Sequence, residues 1–160
     1  MIQDQQYIII NEPPETVFGL IETMPNKFPV YKIMETKPFL VLRILLVDGL
    51  DSAIKMIKHG KTNDMTEFNV GDSMGPFELT DVDKPLKYLF TLKSFFFNCQ
   101  TGYTLSAVET GTKLNFILVA DNPKLSEKLY WYIVKPFHLI LAKKVLKTIK
   151  SMIESKDLSR

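Results

Sequence analysis

The sequence predicts an α+β domain in which a curved antiparallel sheet closes around one long C-terminal helix. Apolar residues recur with a period of two from about Met65, which is typical of strands with one buried face. A helical pattern then runs from Asn122 to about Glu154, the only long element able to cover that face. A short strand and several helical stretches precede the sheet. This order of elements is the helix-grip arrangement.

The chain is expected to open with a short strand at residues 7–10 and a helix that begins near Pro13. Prolines suit the first turn of a helix, and the acidic Glu12 and Glu15 favour its positive end. The helix is predicted from four apolar residues at helical spacing, namely Val17, Leu20, Ile21 and Met24. Pro25 and Pro29 are expected to bound it.

Residues 37–60 fit either a buried helix or a buried strand. The runs 39–42 and 44–47 are continuously apolar, so periodicity does not separate the two structures. Helix is favoured here, with a further amphipathic helix over 51–58 that ends at Gly60.

The period-two region predicts an antiparallel meander. Gly111, in the connection 109–112, is expected to supply a positive φ, which makes the last two strands antiparallel neighbours. Alternation places four aromatic residues on the inner face of the sheet, where they either line a ligand cavity or fill a solid core: Tyr88, Phe90, Tyr103 and Phe116.

The last helix is expected to start with Asn122 as its N-cap and to break or kink near Pro136. The apolar stripe changes direction at that proline. Before it the stripe consists of Leu125, Leu129, Tyr132 and Ile133, and after it of Leu139, Ala142, Leu146, Ile149 and Ile153. Any cavity mouth is therefore predicted near residues 130–138.

Composition predicts a single domain over residues 1–160. At 160 residues and 46% hydrophobic content, the chain can bury a hydrophobic core without disulfides or a structural metal. The lone Cys99 forms no internal disulfide. With no recognisable leader, a cytoplasmic location is expected. The net charge of +2 argues against nucleic acid as a partner. Apolar runs are too short for a transmembrane segment.

Three segments together resemble a known group of proteins. They are Val70-Gly71-Asp72-Ser73-Met74-Gly75-Pro76-Phe77, Gly102-Tyr103-Thr104-Leu105, and Leu129-Tyr130-Trp131-Tyr132-Ile133-Val134-Lys135-Pro136-Phe137-His138. The pattern resembles an uncharacterised bacterial family of the START-related, polyketide-cyclase-like helix-grip superfamily. The resemblance implies a ligand-holding or lipid-binding role. It departs at residues 93–98, Lys-Ser-Phe-Phe-Phe-Asn, where such domains often carry a charged, His-containing segment.

Two polar residues stand out as candidates for ligand binding. Arg43 lies among apolar neighbours, so it needs a ligand carboxylate or phosphate, an internal acidic partner such as Asp48, or a route to the surface. His138 can titrate near neutral pH or bond a ligand, or simply pack against the sheet. Trp131 and Tyr130 are candidates to rim the mouth of the cavity or to pack against residues 37–60, and Tyr132 is included with Trp131 among the ligand-binding candidates.

The leading functional expectation is binding or sequestration of a small hydrophobic molecule between sheet and helix. One alternative is a cyclase, dehydratase or hydrolase using His138 with a carboxylate such as Asp48. Another is a protein-interaction or homodimerisation module around Tyr130 and Trp131. No metal or cofactor is expected, because His59 and His138 are far apart and the Gly71/Gly75 segment lacks the Lys-Ser/Thr of a phosphate loop. The C-terminal lysines form a solvated helix face or meet an anionic membrane surface.

Overall fold

The fold is described from a computed structural model, which covers residues 1–27, 68–74, 77–93 and 97–157. Two helices are described, α1 (Pro14–Lys27) and α2 (Leu125–Asp157). The strands are β1 (Ile2–Ile10), β2 (Ser73–Met74), β3 (Phe77–Asp83), β4 (Lys87–Lys93), β5 (Asn98–Val108) and β6 (Gly111–Ala120). The interpretation of residues 37–60 as helix or strand lies outside the described residues, as do Arg43 and Asp48.

The six described strands form one antiparallel sheet in the order β1-β6-β5-β4-β3-β2. The predicted α+β helix-grip class is therefore confirmed. The register aligns three aromatic residues of the inner face in one row across the sheet. Phe116 lies opposite Tyr103, Tyr103 lies opposite Tyr88, and Gln6 of β1 lies opposite Phe116. The N-terminal strand β1 becomes an edge of the sheet and a neighbour of β6.

The inner face of the sheet, defined as the face carrying Leu105 and Leu114, packs against both helices. Phe18 of α1 meets Tyr88 edge-on at 6.0 Å between ring centroids. The C-terminal half of α2 contributes four buried apolar side chains to the same core: Val145, Leu146, Ile149 and Ile153. Burial of this kind, at roughly 1.5–3 kcal/mol per large side chain, fixes the helix on the sheet.

The first strand is longer than predicted, because it begins at Ile2 and not near Tyr7. Its alternation is clear once the full length is considered, since even-numbered residues face inward and odd-numbered residues outward. Ile10 is fully buried, whereas Tyr7 is 60% exposed. Two polar residues, Asp4 and Gln6, thereby point to the inner face.

The helix α1 begins at Pro14, as expected, but continues past Pro25 to Lys27. Val17 and Ile21 are buried, which confirms the predicted core face. The hairpin prediction also holds, because Gly111 has φ +136° and β6, which begins at Gly111, pairs antiparallel with β5.

The predicted break in the last helix is wrong. The helix α2 runs without interruption through Pro136. Proline removes one backbone hydrogen bond, to the carbonyl of Tyr132, and both residues lie on the solvent side, where water can replace the missing donor. The predicted N-cap at Asn122 is wrong as well. The helix starts at Leu125, where the Lys124 amide donates to Glu127 Oε2 at 2.6 Å and caps it.

The predicted change of apolar stripe is wrong too. Upstream of Pro136 the buried residue is Trp131, at 8% exposure, and this position continues the downstream stripe in helical steps through His138, Ala142 and Val145. The upstream residues assigned to the core are instead exposed: Leu125, Leu129, Tyr132 and Ile133.

Candidate functional site

The site centres on a buried polar pair, Asp4 of β1 and His138 of α2. Asp4 Oδ2 lies 3.4 Å from His138 Nε2, and the side chains are only 8% and 11% exposed. That distance is within ion-pair range but longer than a charge-assisted hydrogen bond. Neither atom has a hydrogen-bond partner of good geometry among the described residues. The pair is therefore buried but incompletely satisfied.

Aromatic rings surround His138. Its imidazole lies 5.7 Å from the Phe116 ring, at 28° between planes, and 5.2 Å from the Trp131 indole. Trp131 in turn stacks on Phe97 at 5.8 Å and 12°. Phe116 contacts Tyr103 at 5.4 Å. The polar pair is thus packed against aromatic rings, and such surroundings exclude water and strengthen electrostatic interactions.

The pair also lies where two apolar clusters of the described core meet. One cluster contains Tyr103 and the C-terminal half of α2, with Phe116 packed against it. The other contains Trp131, Phe97 and Leu118. His138 contacts a ring from each side, and Asp4 is paired in register with Leu118. Polar atoms consequently occupy the boundary between two apolar regions.

Burial lowers the pKa of His138, and the nearby Asp4 carboxylate opposes this effect only in part. The imidazole is therefore neutral at pH 7. A carboxylate beside Nε2 favours the tautomer with its proton on that nitrogen, which leaves Nδ1 as an acceptor. A carboxylate that orients a histidine base holds it by a hydrogen bond, whereas here the two atoms lie 3.4 Å apart without good hydrogen-bond geometry.

Tyrosine hydroxyls add further polar groups on the inner face. Tyr88 is 1% exposed and its hydroxyl is buried without a hydrogen-bond partner among the described residues. Burial raises its pKa to about 12, with smaller contributions from Glu22 and Asp72. Burial also raises the pKa of Tyr103. Both hydroxyls remain protonated and can donate.

The structure brings together most of the predicted binding residues that it describes. Tyr103, Phe116, Trp131 and His138 form a chain of ring contacts. Tyr88 and Phe90 continue the aromatic face at 5.3 Å from each other. Tyr132 does not join them, because it is 81% exposed on the opposite side of α2.

The carboxylate beside His138 is one that sequence reasoning missed. The alternative enzyme hypothesis named Asp48, which lies outside the described residues, whereas the structure places Asp4 next to the ring. The signal was present in the alternation Ile2, Asp4, Gln6, Ile8, Ile10. It is visible only when the strand is started at residue 2.

Cys99 has no features of a nucleophile. Its side chain is buried, and burial raises the pKa of the thiol to about 12. A thiol with that pKa carries almost no thiolate at neutral pH.

A separate groove of about 330 Å³ lies between β1 and the C-terminal end of α2. It is lined by Ile8, Lys147, Lys150, Ser151, Glu154 and Ser155. Lys150 donates to the Ile9 carbonyl at 3.0 Å and lies 3.4 Å from Glu154. These contacts tie α2 to the edge strand, and the groove contains none of the predicted ligand-binding residues.

Within the described ranges, no cluster of three His, Cys, Asp or Glu residues has the spacing of a metal site. No helix in that part of the chain is both long and apolar enough to span a bilayer.

Two solved structures are similar to the chain over nearly its whole length. Protein MLL2253 from Mesorhizobium loti is 14% identical, with a TM-score of 0.50, and the match covers 94% of this chain and 98% of that one. Protein Ms6760 from Mycobacterium smegmatis is 11% identical, with a TM-score of 0.54, over 96% and 92% of the two chains. No family model and no curated protein matches the sequence. At these identities the likeness shows the fold alone.

Proposed function

We propose that the protein binds a small, mainly apolar molecule at the boundary between the two core clusters, where Asp4 and His138 hold a polar group of that molecule. The observation that carries the proposal is the buried pair itself. A carboxylate oxygen and an imidazole nitrogen without good hydrogen bonds are costly in an apolar interior, and a ligand group or a water molecule would offset that cost.

The surroundings indicate the chemistry of the ligand. Phe116 and Trp131 flank the imidazole, and Tyr103 extends the aromatic surface. Binding sites for small molecules are mostly apolar with a few polar groups that fix orientation. A flat or branched apolar molecule with one hydrogen-bonding group suits this combination. The resemblance to START-related proteins supports the same role for the space between sheet and helix.

The test is native mass spectrometry of the protein purified under non-denaturing conditions from its own host. The wild type is expected to retain a small apolar molecule, and the variants Asp4→Leu and His138→Phe are expected to lose it. Gln5→Leu is a matched control, because Gln5 is the next residue of β1, faces outward and bonds Asn115 at 2.7 Å. A wild type free of bound mass, or equal retention in all variants, would exclude this site.

A second candidate function is acid–base catalysis, favoured by the orientation of the pair. Asp4 faces Nε2 of a neutral His138, so Nδ1 is left as the base. Any retained molecule would then be converted over time by the wild type and not by His138→Gln. Time-resolved mass analysis of the bound molecule distinguishes catalysis from simple storage.

The dimerisation alternative gains no support from the surface on which it was based. Trp131 is buried, and Tyr130 contacts Phe97 at 5.9 Å between ring centroids.

A further inference from the structure

The solvent side of α2 carries an apolar face over its N-terminal half. Leu125 is 83% exposed, Leu129 64%, Tyr132 81%, Ile133 52% and Ile140 57%. These residues recur at steps of three, four and seven, which places them on one side of the helix, opposite the buried Trp131. Phe137, at 39% exposure, extends the same face.

This face differs from a scatter of single exposed apolar residues, which is normal on a protein surface. Six large side chains are contiguous along about four turns of helix. A continuous exposed patch of this kind marks a binding surface more often than chance exposure does. We refer to residues 125–140 on this side as the apolar face of α2.

Charge identifies the partner. Between Lys128 and Lys150 the helix contains six lysines and no acidic residue. Lys143, Lys144 and Lys147 are exposed and continue the line of the apolar face, and Lys128 and Lys135 are exposed at its flank. An exposed apolar face beside exposed basic residues is the pattern of a helix that lies in the surface of an anionic bilayer.

The size of the face argues against a second copy of the chain. The apolar face is about 24 Å long and about 10 Å wide, from the rise and diameter of a helix. Two such faces would bury on the order of 500 Å², well below the roughly 1,200 Å² of a stable protein interface. Binding to a bilayer does not require a minimum interface area of this kind. The affinity of the helix for the membrane is the sum of the insertion of apolar side chains and the attraction of lysines to anionic lipids.

We infer that α2 docks the protein on anionic membranes, with the apolar face inserted into the headgroup region and the lysines of its C-terminal half against acidic lipids. This surface is distinct from the Asp4–His138 site, which lies on the opposite side of the same helix. The inference stands whether or not that site binds a ligand.

The experiment is flotation of the full chain with vesicles of phosphatidylcholine alone or with roughly one-third phosphatidylglycerol, the anionic lipid that attracts basic residues. The protein is expected to float with the anionic vesicles only, and less so in high salt. The double variant Leu129→Ser/Ile133→Ser and the triple variant Lys143→Gln/Lys144→Gln/Lys147→Gln are each expected to weaken partitioning by about tenfold or more.

Matched controls lie elsewhere on the surface. Val70→Ser removes an exposed apolar side chain (61%) outside α2, and the triple variant Lys84→Gln/Lys87→Gln/Lys113→Gln removes the same charge from the sheet and its turns. Both should float like the wild type. No flotation, equal flotation with neutral vesicles, or equal loss in the controls would each overturn the inference.

Discussion

Asp4 and His138 join the two ends of the fold, because the carboxylate of the first strand lies 3.4 Å from the imidazole of the last helix. Removing either partner leaves the other buried beside aromatic rings. Buried polar pairs of this type contribute little to stability by themselves. The pH dependence of stability and the effect of Asp4 substitutions test this interpretation.

His138 is expected to make the protein less stable in mild acid. The pKa of His138 is lowered in the folded protein below the usual 6.5. As the pH falls through 6.5, the unfolded chain therefore takes up a proton on this residue that the folded protein does not. The loss can reach at most about 1.4 kcal/mol per pH unit for one proton. Urea unfolding at pH 7.5 and 5.5 should show a larger loss in the wild type than in His138→Gln. Equal losses would contradict the buried neutral histidine.

The double variant Asp4→Leu/His138→Phe is expected to leave stability unchanged or to raise it by about 1–3 kcal/mol, because an incompletely bonded buried polar pair is replaced by apolar side chains. Gln5→Leu should instead cost about 1 kcal/mol, since Asn115 is 7% exposed and loses the partner of its amide oxygen. Denaturant unfolding of both variants measures the contrast. Destabilisation by the double variant beyond that of Gln5→Leu would show that the pair is structural.

Much of the fold follows from periodicity, and the errors have physical causes. Period two located the inner face correctly at Tyr88, Tyr103 and Phe116, because a half-buried sheet requires it. The prediction of which face of α2 is buried in its N-terminal half was wrong, because Leu129 and Tyr132 are apolar yet exposed. Apolar periodicity does not distinguish a core face from a surface that binds something else.

The site was less predictable than the fold. His138 was identified from its position, but its partner depends on β1 forming an edge beside β6 and under α2. Strand order is a long-range property that local sequence does not encode. The spacing of Asp4 and Gln6 in β1 indicates that two polar side chains face inward, but it does not indicate which residues they contact.

Gly102→Ala is expected to be strongly destabilising, by about 2–4 kcal/mol or more. Gly102 has φ +150°, and an added Cβ would overlap the carbonyl oxygen of Tyr88 and lie 2.9 Å from Leu89 Cα. Gly19→Ala is the matched control, because Gly19 lies in α1 with open space around its Cβ position, and alanine there should stabilise by about 0.5–1 kcal/mol. Thermal and urea unfolding measure both. A mild effect of Gly102→Ala would mean that β4 and β5 can separate slightly.

Pro136→Ala tests the continuity of α2. Proline inside a helix removes one hydrogen bond and crowds the preceding turn, at about 3 kcal/mol in a helix interior. Because Pro136 is exposed, alanine should recover part of that cost and stabilise the protein by about 1–2 kcal/mol. Ile149→Ala on the buried side should cost about 2–5 kcal/mol and Ile140→Ala on the exposed side under about 0.5 kcal/mol. If Pro136→Ala destabilised the protein, the proline would be setting a bend that the packing of α2 on the sheet requires.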